Sequence, residues 1–285
     1  LIGLVGSEMC IRDRLYGCIP VVTANASHNS WDWGEDVQWV PNDTRSFSYC
    51  VDQGDYWKWV GVGDNYGWLR TGGKPASGDP KDGKGALWGL SWYGIRKANI
   101  GLANLDKLTQ ATTEERNLIE GQLYFFRGWF HFMLMQFWGG LPYVDEVLPS
   151  DEVLKRARLT YRETADKASE DFRKAAALLP LDWDETTVGK QTVGKNNIRI
   201  NKIMALAYLG KNELWAGSPL MSGDVNAQTT AYNAESCQRA ADAFAEVLDL
   251  CDKTKRYELA DFANYTDIFY TCLLYTSPSP RDRSV

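Results

Sequence analysis

Residues 112–144 read TTEERNLIEGQLYFFRGWFHFMLMQFWGGLPYV, and the fold turns on how this stretch is read. Thr112 and Glu115 have the spacing of a capping box, in which hydroxyl and carboxylate each satisfy a free backbone N–H. Leu118, Ile119, Gln122, Leu123, Phe126, Trp129, Phe130 and Met133 then recur at three- and four-residue steps, the period of one helix face. Phe125, Phe132 and Phe137 place aromatics on the other side, so the helix is expected to be buried nearly all round. It would run about 36–40 Å at 1.5 Å per residue. Gly139-Gly140 ends it and Pro142 keeps it from resuming. This is the central helix of an all-α domain, with Arg127 as the one charge that a buried neighbour must answer.

Working outward, Leu87, Leu90, Gly94, Ile95, Ala98, Leu102, Leu105 and Leu108 give a preceding helical face through Thr109. The turn between the two helices is short, which makes them antiparallel neighbours. After a loop over Leu141–Leu159, Thr160 and Glu163 form a second capping box. Ala165, Ala168, Phe172, Ala175, Ala176 and Leu179 mark the next face, stopped by Pro180. Ile200, Ile203, Ala207 and Leu214 mark a fourth helix, closed by Gly217 and Pro219. Cys237, Ala240, Ala241, Phe244, Val247, Leu248 and Cys251 mark a fifth. Successive helices with small packing residues read as a mainly α, tetratricopeptide-like repeat array with irregular intervals. Such arrays are scaffolds and leave function open.

The chain has 285 residues, 44% of them apolar, and a net charge of −6. That charge argues against a nucleic-acid surface, which needs a basic face. No run approaches the ~20 apolar residues of a membrane span.

The two ends look foreign to the rest. One DNA spelling of Cys272-Leu273-Leu274-Tyr275-Thr276-Ser277 is TGT CTC TTA TAC ACA TCT. Its opposite strand contains ATG TGT ATA AGA GAC, which spells Met9-Cys10-Ile11-Arg12-Asp13. Reverse complements at the termini resemble translated transposon-adapter sequence, so 1–14 and 272–285 are set aside as non-native. The remaining 15–271 reads as a single-domain fragment, irregular over 15–85 and helical over 86–262. A missing leader then says nothing about localisation. The cysteines that remain are Cys18, Cys50, Cys237 and Cys251, spaced too widely for a zinc site. Cys237 and Cys251 are expected as buried thiols.

Residues 15–85 are rich in Trp, Gly, Asp and Asn. Trp31, Trp33, Trp39, Trp57, Trp59, Tyr66 and Trp68 are interleaved with polar residues that include Asp64, Asn65 and Arg70. A pyranose ring offers C–H faces that stack on an indole, while Asp, Asn and Arg bind its hydroxyls. These ten residues are the candidate ligand-binding set. Trp is highly buried on average, so core is the simpler reading of any single one. The sugar reading needs only one or two of the seven aromatics to line a glycan surface.

Other chemistry is thin. Residues 78–85, GDPKDGKG, imitate a phosphate loop but carry Gly85 where Ser or Thr must hold magnesium, so they read as a surface turn. His131, inside the aromatic helix, reads as a hydrogen-bonded core residue, and no Ser-His-Asp or metal cluster can be assembled. Arg127 and Arg96 are expected to pair with Glu120 or Asp106 as a structural contact between helices. Asp182, Asp184 and Glu185 cluster in a polar loop where nothing would raise a carboxyl pKa as glycoside hydrolysis requires.

Several pieces together resemble the SusD/RagB family of nutrient-binding outer-membrane lipoproteins. Trp92 through Asn99 matches its Y-x-x-I-R-x-A-N helix. Glu120 through Tyr143 resembles its long aromatic helix, with Arg127, Phe132, Phe137, Gly139, Gly140 and Pro142 in register. Asp171–Pro180, Arg199–Ala216 and Tyr232–Leu259 are similar to three later family segments. Gly121 and Gln122 depart from the usual small-plus-Arg pair, and Asn196-Asn197 stand where Gly is common. The resemblance implies a non-catalytic glycan-binding protein without a cofactor, held on the outer face of the outer membrane by a lipid anchor missing from this fragment. It also implies a partner, a SusC-type TonB-dependent transporter that receives the oligosaccharide. The alternative is a helical-repeat scaffold that binds a protein or peptide.

Overall fold

The structure is a computed structural model that describes residues 15–19, 54, 87–149, 156–197, 199–222, 231–259 and 261–264. Five long helices carry the described residues: α1 Leu87–Leu102, α2 Thr113–Trp138, α3 Tyr161–Leu178, α4 Lys202–Gly217 and α5 Ala234–Thr254. Each packs chiefly on the next in the chain, so the expected array of successive helices is what forms. No strand occurs among the described residues, and no described helix is long and apolar enough to cross a membrane.

Local chemistry sets the helix starts. Thr112 Oγ1 accepts from the Glu115 N–H at 3.2 Å, and Glu115 Oε2 accepts from the Thr112 N–H at 2.8 Å. Thr160 and Glu163 repeat the arrangement at 3.2 and 2.9 Å. Both expected capping boxes are therefore present, each filling orphan backbone groups at a helix start. Asn201 and Asn233 cap α4 and α5 by accepting from the Met204 and Ser236 N–H groups. The helix ends are less regular. The face read through Thr109 breaks at Leu102, because the Asn104 side chain donates to the Ile100 carbonyl at 2.7 Å and competes with the backbone ladder. A separate 3-10 turn, Leu105–Lys107, fills the rest.

In α2, residues 125–132 are buried without interruption, which is the all-round burial that its aromatics predict. Phe126, Phe130 and Phe132 are sealed from solvent, each worth about 1.5–3 kcal/mol relative to exposure. α1 and α3 cover this helix from two sides, and small residues let them close in. A Cβ on Gly128 would lie 3.2 Å from the Ala168 carbonyl oxygen. The helix ends at Gly139, whose φ of 74° favours glycine. Gly140 is tighter still, since a Cβ there would sit 2.3 Å from the Leu159 carbonyl oxygen. The Arg158 guanidinium donates to the Trp138 and Gly140 carbonyls and caps this end.

The fourth and fifth helices differ from the expected faces. Leu214 is 52% exposed and Ala207 half-buried, while Leu206, Leu209, Gly210, Asn212, Glu213 and Gly217 are buried. α4 lies between α3 and α5, so it is buried on two sides and shows no single stripe. Gly210 receives the Phe244 ring and Gly217 the Cys237 sulfur. In α5, Leu248 is 62% exposed and Ala241 is exposed. The inward residues are instead Ser236, Ala240 and Ala243, with Phe244 and Val247 half-buried beside them. Cys237 and Cys251 are half-buried thiols, not buried ones, because this helix is covered on one side.

Glycine replacement separates the close approaches from the open positions. Gly140→Ala should lower stability by about 1–3 kcal/mol, because only backbone stands in the way and it cannot rotate aside. Gly89→Ala, with nothing within 4 Å of its Cβ, should raise stability by about 0.5–1 kcal/mol through helix propensity. Thermal unfolding of the two variants checks both signs.

Candidate functional site

The ten ligand-binding candidates, Trp31, Trp33, Trp39, Trp57, Trp59, Asp64, Asn65, Tyr66, Trp68 and Arg70, all lie outside the described residues. So does the turn at 78–85. The described residues instead show a buried polar centre that joins α1, α2, α3 and the strap 139–149 that leaves α2.

Arg127 stands in the middle of α2 with its guanidinium turned toward α3. Its Nε donates to Asp171 Oδ2 at 2.6 Å and its Nη2 to Asp171 Oδ1 at 2.7 Å, a two-pronged pair with both side chains nearly sealed from solvent. Nη1 donates to Asn99 Oδ1 at 3.0 Å and to the Asp145 carbonyl at 3.1 Å. Four of its five N–H groups are thus used inside the fold. The expected partners, Glu120 and Asp106, are not the ones chosen. Glu120 stands two turns before Arg127 on α2 itself and Asp106 lies in the 3-10 turn after α1, whereas the guanidinium reaches across to α3. Asp171 falls on the buried face of α3 between Ala168 and Ala175, and that placement within an apolar stripe was the signal available in the sequence. Arg96 does not join the centre; it donates to the Leu148 carbonyl at 2.7 Å.

The strap is fixed by the same groups. Tyr143 donates its hydroxyl to Asp171 Oδ2 at 2.5 Å. Asn99 Nδ2 donates to the Val144 and Glu146 carbonyls at 2.9 and 3.0 Å. Thr164 Oγ1 accepts from the Leu141 N–H and donates to the Leu141 carbonyl. The Val144 N–H donates to His131 Nε2 at 3.1 Å, so that nitrogen carries no proton. Nδ1 then holds the hydrogen and donates to the Arg127 carbonyl at 2.8 Å. His131 also stacks on Tyr143 with ring centroids 3.9 Å apart and meets Trp92 edge-on at 5.8 Å.

The electrostatics follow from burial. Desolvation, with Arg127 adding to it, pulls the His131 pKa down to about 3. Burial, then the Asp171 carboxylate, pushes the Tyr143 hydroxyl well above its ordinary range. Burial opposes the Arg127 charge, but its hydrogen bonds to Asp171 outweigh that and raise its pKa. The result is a charged pair and a neutral imidazole, with four Arg127 N–H groups and both imidazole nitrogens committed inside the fold. Arg127 has no open fork for a ligand anion, and His131 has no free lone pair for a general base.

The acidic loop after α3 is likewise committed. Asp184 accepts from Asn196 Nδ2 and from the Gly194 N–H, which together hold its carboxyl below the ordinary range. Asp182 pairs with Arg256 at 2.8 Å. No group of three metal-ligating side chains occurs among the described residues. Near the start of α1 and the end of α2, Trp88 meets Trp92 at 5.5 Å and Trp138 at 5.0 Å, both edge-on. All three indoles are half-buried and pack on the core.

A family model of SusD-like proteins, described as "Starch-binding associating with outer membrane", matches residues 52–211. No curated protein matches the chain. Among solved structures, a SusD homolog from Bacteroides thetaiotaomicron VPI-5482 is 18% identical, covers 70% of this chain and 35% of its own, and has a TM-score of 0.50. A SusD-like protein from Bacteroides fragilis NCTC 9343 is 23% identical, with coverage of 61% and 28% and a TM-score of 0.47. A surface glycan-binding protein A from Bacteroides uniformis is 22% identical, with coverage of 62% and 34% and a TM-score of 0.46. The first likeness supports the helical fold. The chain spans about a third of the length of these solved structures.

Removing one partner of the buried pair should be severe. Asp171→Ala should cost about 3–5 kcal/mol by stranding the Arg127 charge, read from chemical denaturation. The His131 contribution has a definite sign. Below its ordinary pKa of 6.5 the unfolded chain takes up a proton that the folded chain refuses until about pH 3. The stabilisation is therefore full above about pH 6.5 and lost as the pH falls toward 3. His131→Gln should flatten the pH dependence of stability across that window.

Proposed function

We propose a function from the premise that this chain belongs to the SusD-like family, described as starch-binding and associating with the outer membrane. The protein binds oligosaccharide or polysaccharide at the cell surface, carries out no reaction on it, and delivers it to a SusC-type TonB-dependent transporter. Binding falls to the tryptophan-rich residues before α1, with α1–α5 as their scaffold.

One observation carries this reading: the family match does not stop at the helices. It begins at residue 52 and takes in Trp57, Trp59, Asp64, Asn65, Tyr66, Trp68 and Arg70, seven of the ten candidates. The described helices supply a further argument by subtraction. Arg127, Asp171, Tyr143 and His131 spend their hydrogen bonds on one another and on the strap, so sugar hydroxyls must find partners elsewhere. Non-catalytic binding agrees with the acidic loop, where Asp184 is held ionised and Asp182 is paired with Arg256. A glycosidase acid needs the opposite, a carboxyl kept protonated by its surroundings.

Electrophoresis of the chain through gels containing amylopectin, xylan or inulin tests the reading. Retardation by at least one polysaccharide is expected. Alanine at one or more of Trp57, Trp59 and Trp68 should weaken it about tenfold or more, which is about 1.4 kcal/mol of stacking. Migration unchanged in all three gels, together with tight binding of a peptide, would establish the scaffold alternative instead.

A further inference from the structure

α5 carries a second apolar flank besides the one it packs. Toward α3 it presents charge, with Arg239 on Asp166 at 2.7 Å and Glu246 on Arg173 at 2.6 Å. Inward, Ala240 and Ala243 are sealed and Val247 is half-buried. On the flank turned away from α3, Ala241, Ala245 and Leu248 follow at four- and three-residue steps, the spacing of one helix face, and all three are exposed. α4 continues this surface. Ala207 and Leu214 lie just beyond Gly210 and Gly217, which take the Phe244 ring and the Cys237 sulfur. The two helices thus enclose a shallow apolar groove with the half-buried Phe244 along its floor. Its edges carry opposite charges. On the α4 edge Lys211 is exposed, with its ammonium over the Tyr208 ring at 6.0 Å. On the α5 edge Asp242 is exposed and accepts from Gln238 at 2.8 Å.

We infer that this groove is an interface with a second copy of the chain, related by a two-fold axis parallel to the helices. Such an axis lays α4 of one copy over α5 of the other. The register follows from the glycine contacts. Gly210 stands opposite Phe244 and Gly217 opposite Cys237, so the antiparallel pair sets Leu214 level with Ala241, Ala207 with Leu248 and Lys211 with Asp242. The axis keeps those levels. Leu214 of one copy therefore covers Ala241 of the other, Leu248 meets Ala207, and Lys211 answers Asp242. A two-fold axis across the helices would instead set α5 on α5, with Asp242 and Asp249 facing their like charges. Each contact occurs twice, as in any isologous interface, and an exposed apolar surface edged by polar groups is the kind that associates. The facing stretch is about 22 Å long and two helix widths across, roughly 450 Å² per copy. That is below the ~800 Å² per partner of a standard interface, so the dimer is reversible and micromolar.

Sedimentation equilibrium of the full chain under reducing conditions, from about 1 to about 100 μM, tests the interface. The weight-average mass should rise from monomer toward dimer across that range. Leu248→Asp alters an exposed position and leaves the core intact, so far-UV circular dichroism should not change while dimerisation weakens about tenfold or more. Lys211→Glu should weaken it about threefold or more, and adding Asp242→Lys should restore it. A monomer at every concentration would overturn the inference and leave the groove to a different chain. Association that Leu248→Asp does not weaken would place the contact elsewhere and overturn it equally. Loss in Lys211→Glu without rescue by Asp242→Lys would overturn the two-fold arrangement.

Discussion

The two-pronged pair between Arg127 and Asp171 is the contact on which the rest of this structure depends. It sits at the crossing of α2 and α3, and its spare valences reach α1 through Asn99 and the strap through Tyr143 and Asp145. A buried ion pair is weak as a net source of stability, because desolvation offsets most of the attraction. Its consequence here is geometric. The charge must be answered by one carboxylate at one place, so α3 cannot slide along α2 without stranding it. The strap is fixed by the same requirement, with His131 and Thr164 reading its backbone at Val144 and Leu141.

Around that centre the packing is unusually aromatic, and it depends on glycine to bring helices close. Phe125, Phe126, Trp129, Phe132 and Tyr208 meet mostly edge-on across α2 and α4, the arrangement their ring quadrupoles favour. Gly94 makes room for Phe130, and Gly210 for Phe244, so large rings on one helix face absent side chains on its neighbour. A second polar cluster, Arg239 with Asp166, Glu213 and Glu235, repeats the logic between α3, α4 and α5, though nearer to solvent. The described helices therefore form a scaffold whose two charged clusters are spent chiefly on joining one helix to the next.

What the sequence disclosed depended on how local the physics was. Both capping boxes were legible because they need only residues three apart, and α2 was legible because burial on all sides leaves no polar face. The partner of Arg127 was misread because the choice lies 44 residues away and depends on which side of α2 the guanidinium faces. Asp171 still had a trace in the sequence, as a carboxylate set into the Ala168–Ala175 stripe. The face of α4 was misread for another reason: a helix covered on two sides has no single stripe, so Leu214 looked inward by period and lies outward. In α5, Leu248 failed the same test at the edge of a helix packed on one side. The sugar chemistry was read from composition, from indoles alternating with carboxylates and amides, and those residues lie beyond the described part of the fold.

The central claim is a division of labour, with ligand contact in the tryptophan-rich residues and support in the helices. Hydrogen exchange of the chain with and without a saturating soluble glycan, chosen as the tightest binder in the gel series, tests it most directly. Protection confined to residues 31–70 and the adjoining start of α1, with the amides of α2 and α3 around Arg127 and Asp171 unchanged, is the expected result. Protection centred on α2, α3 or the strap, with none in residues 31–70, would contradict the account.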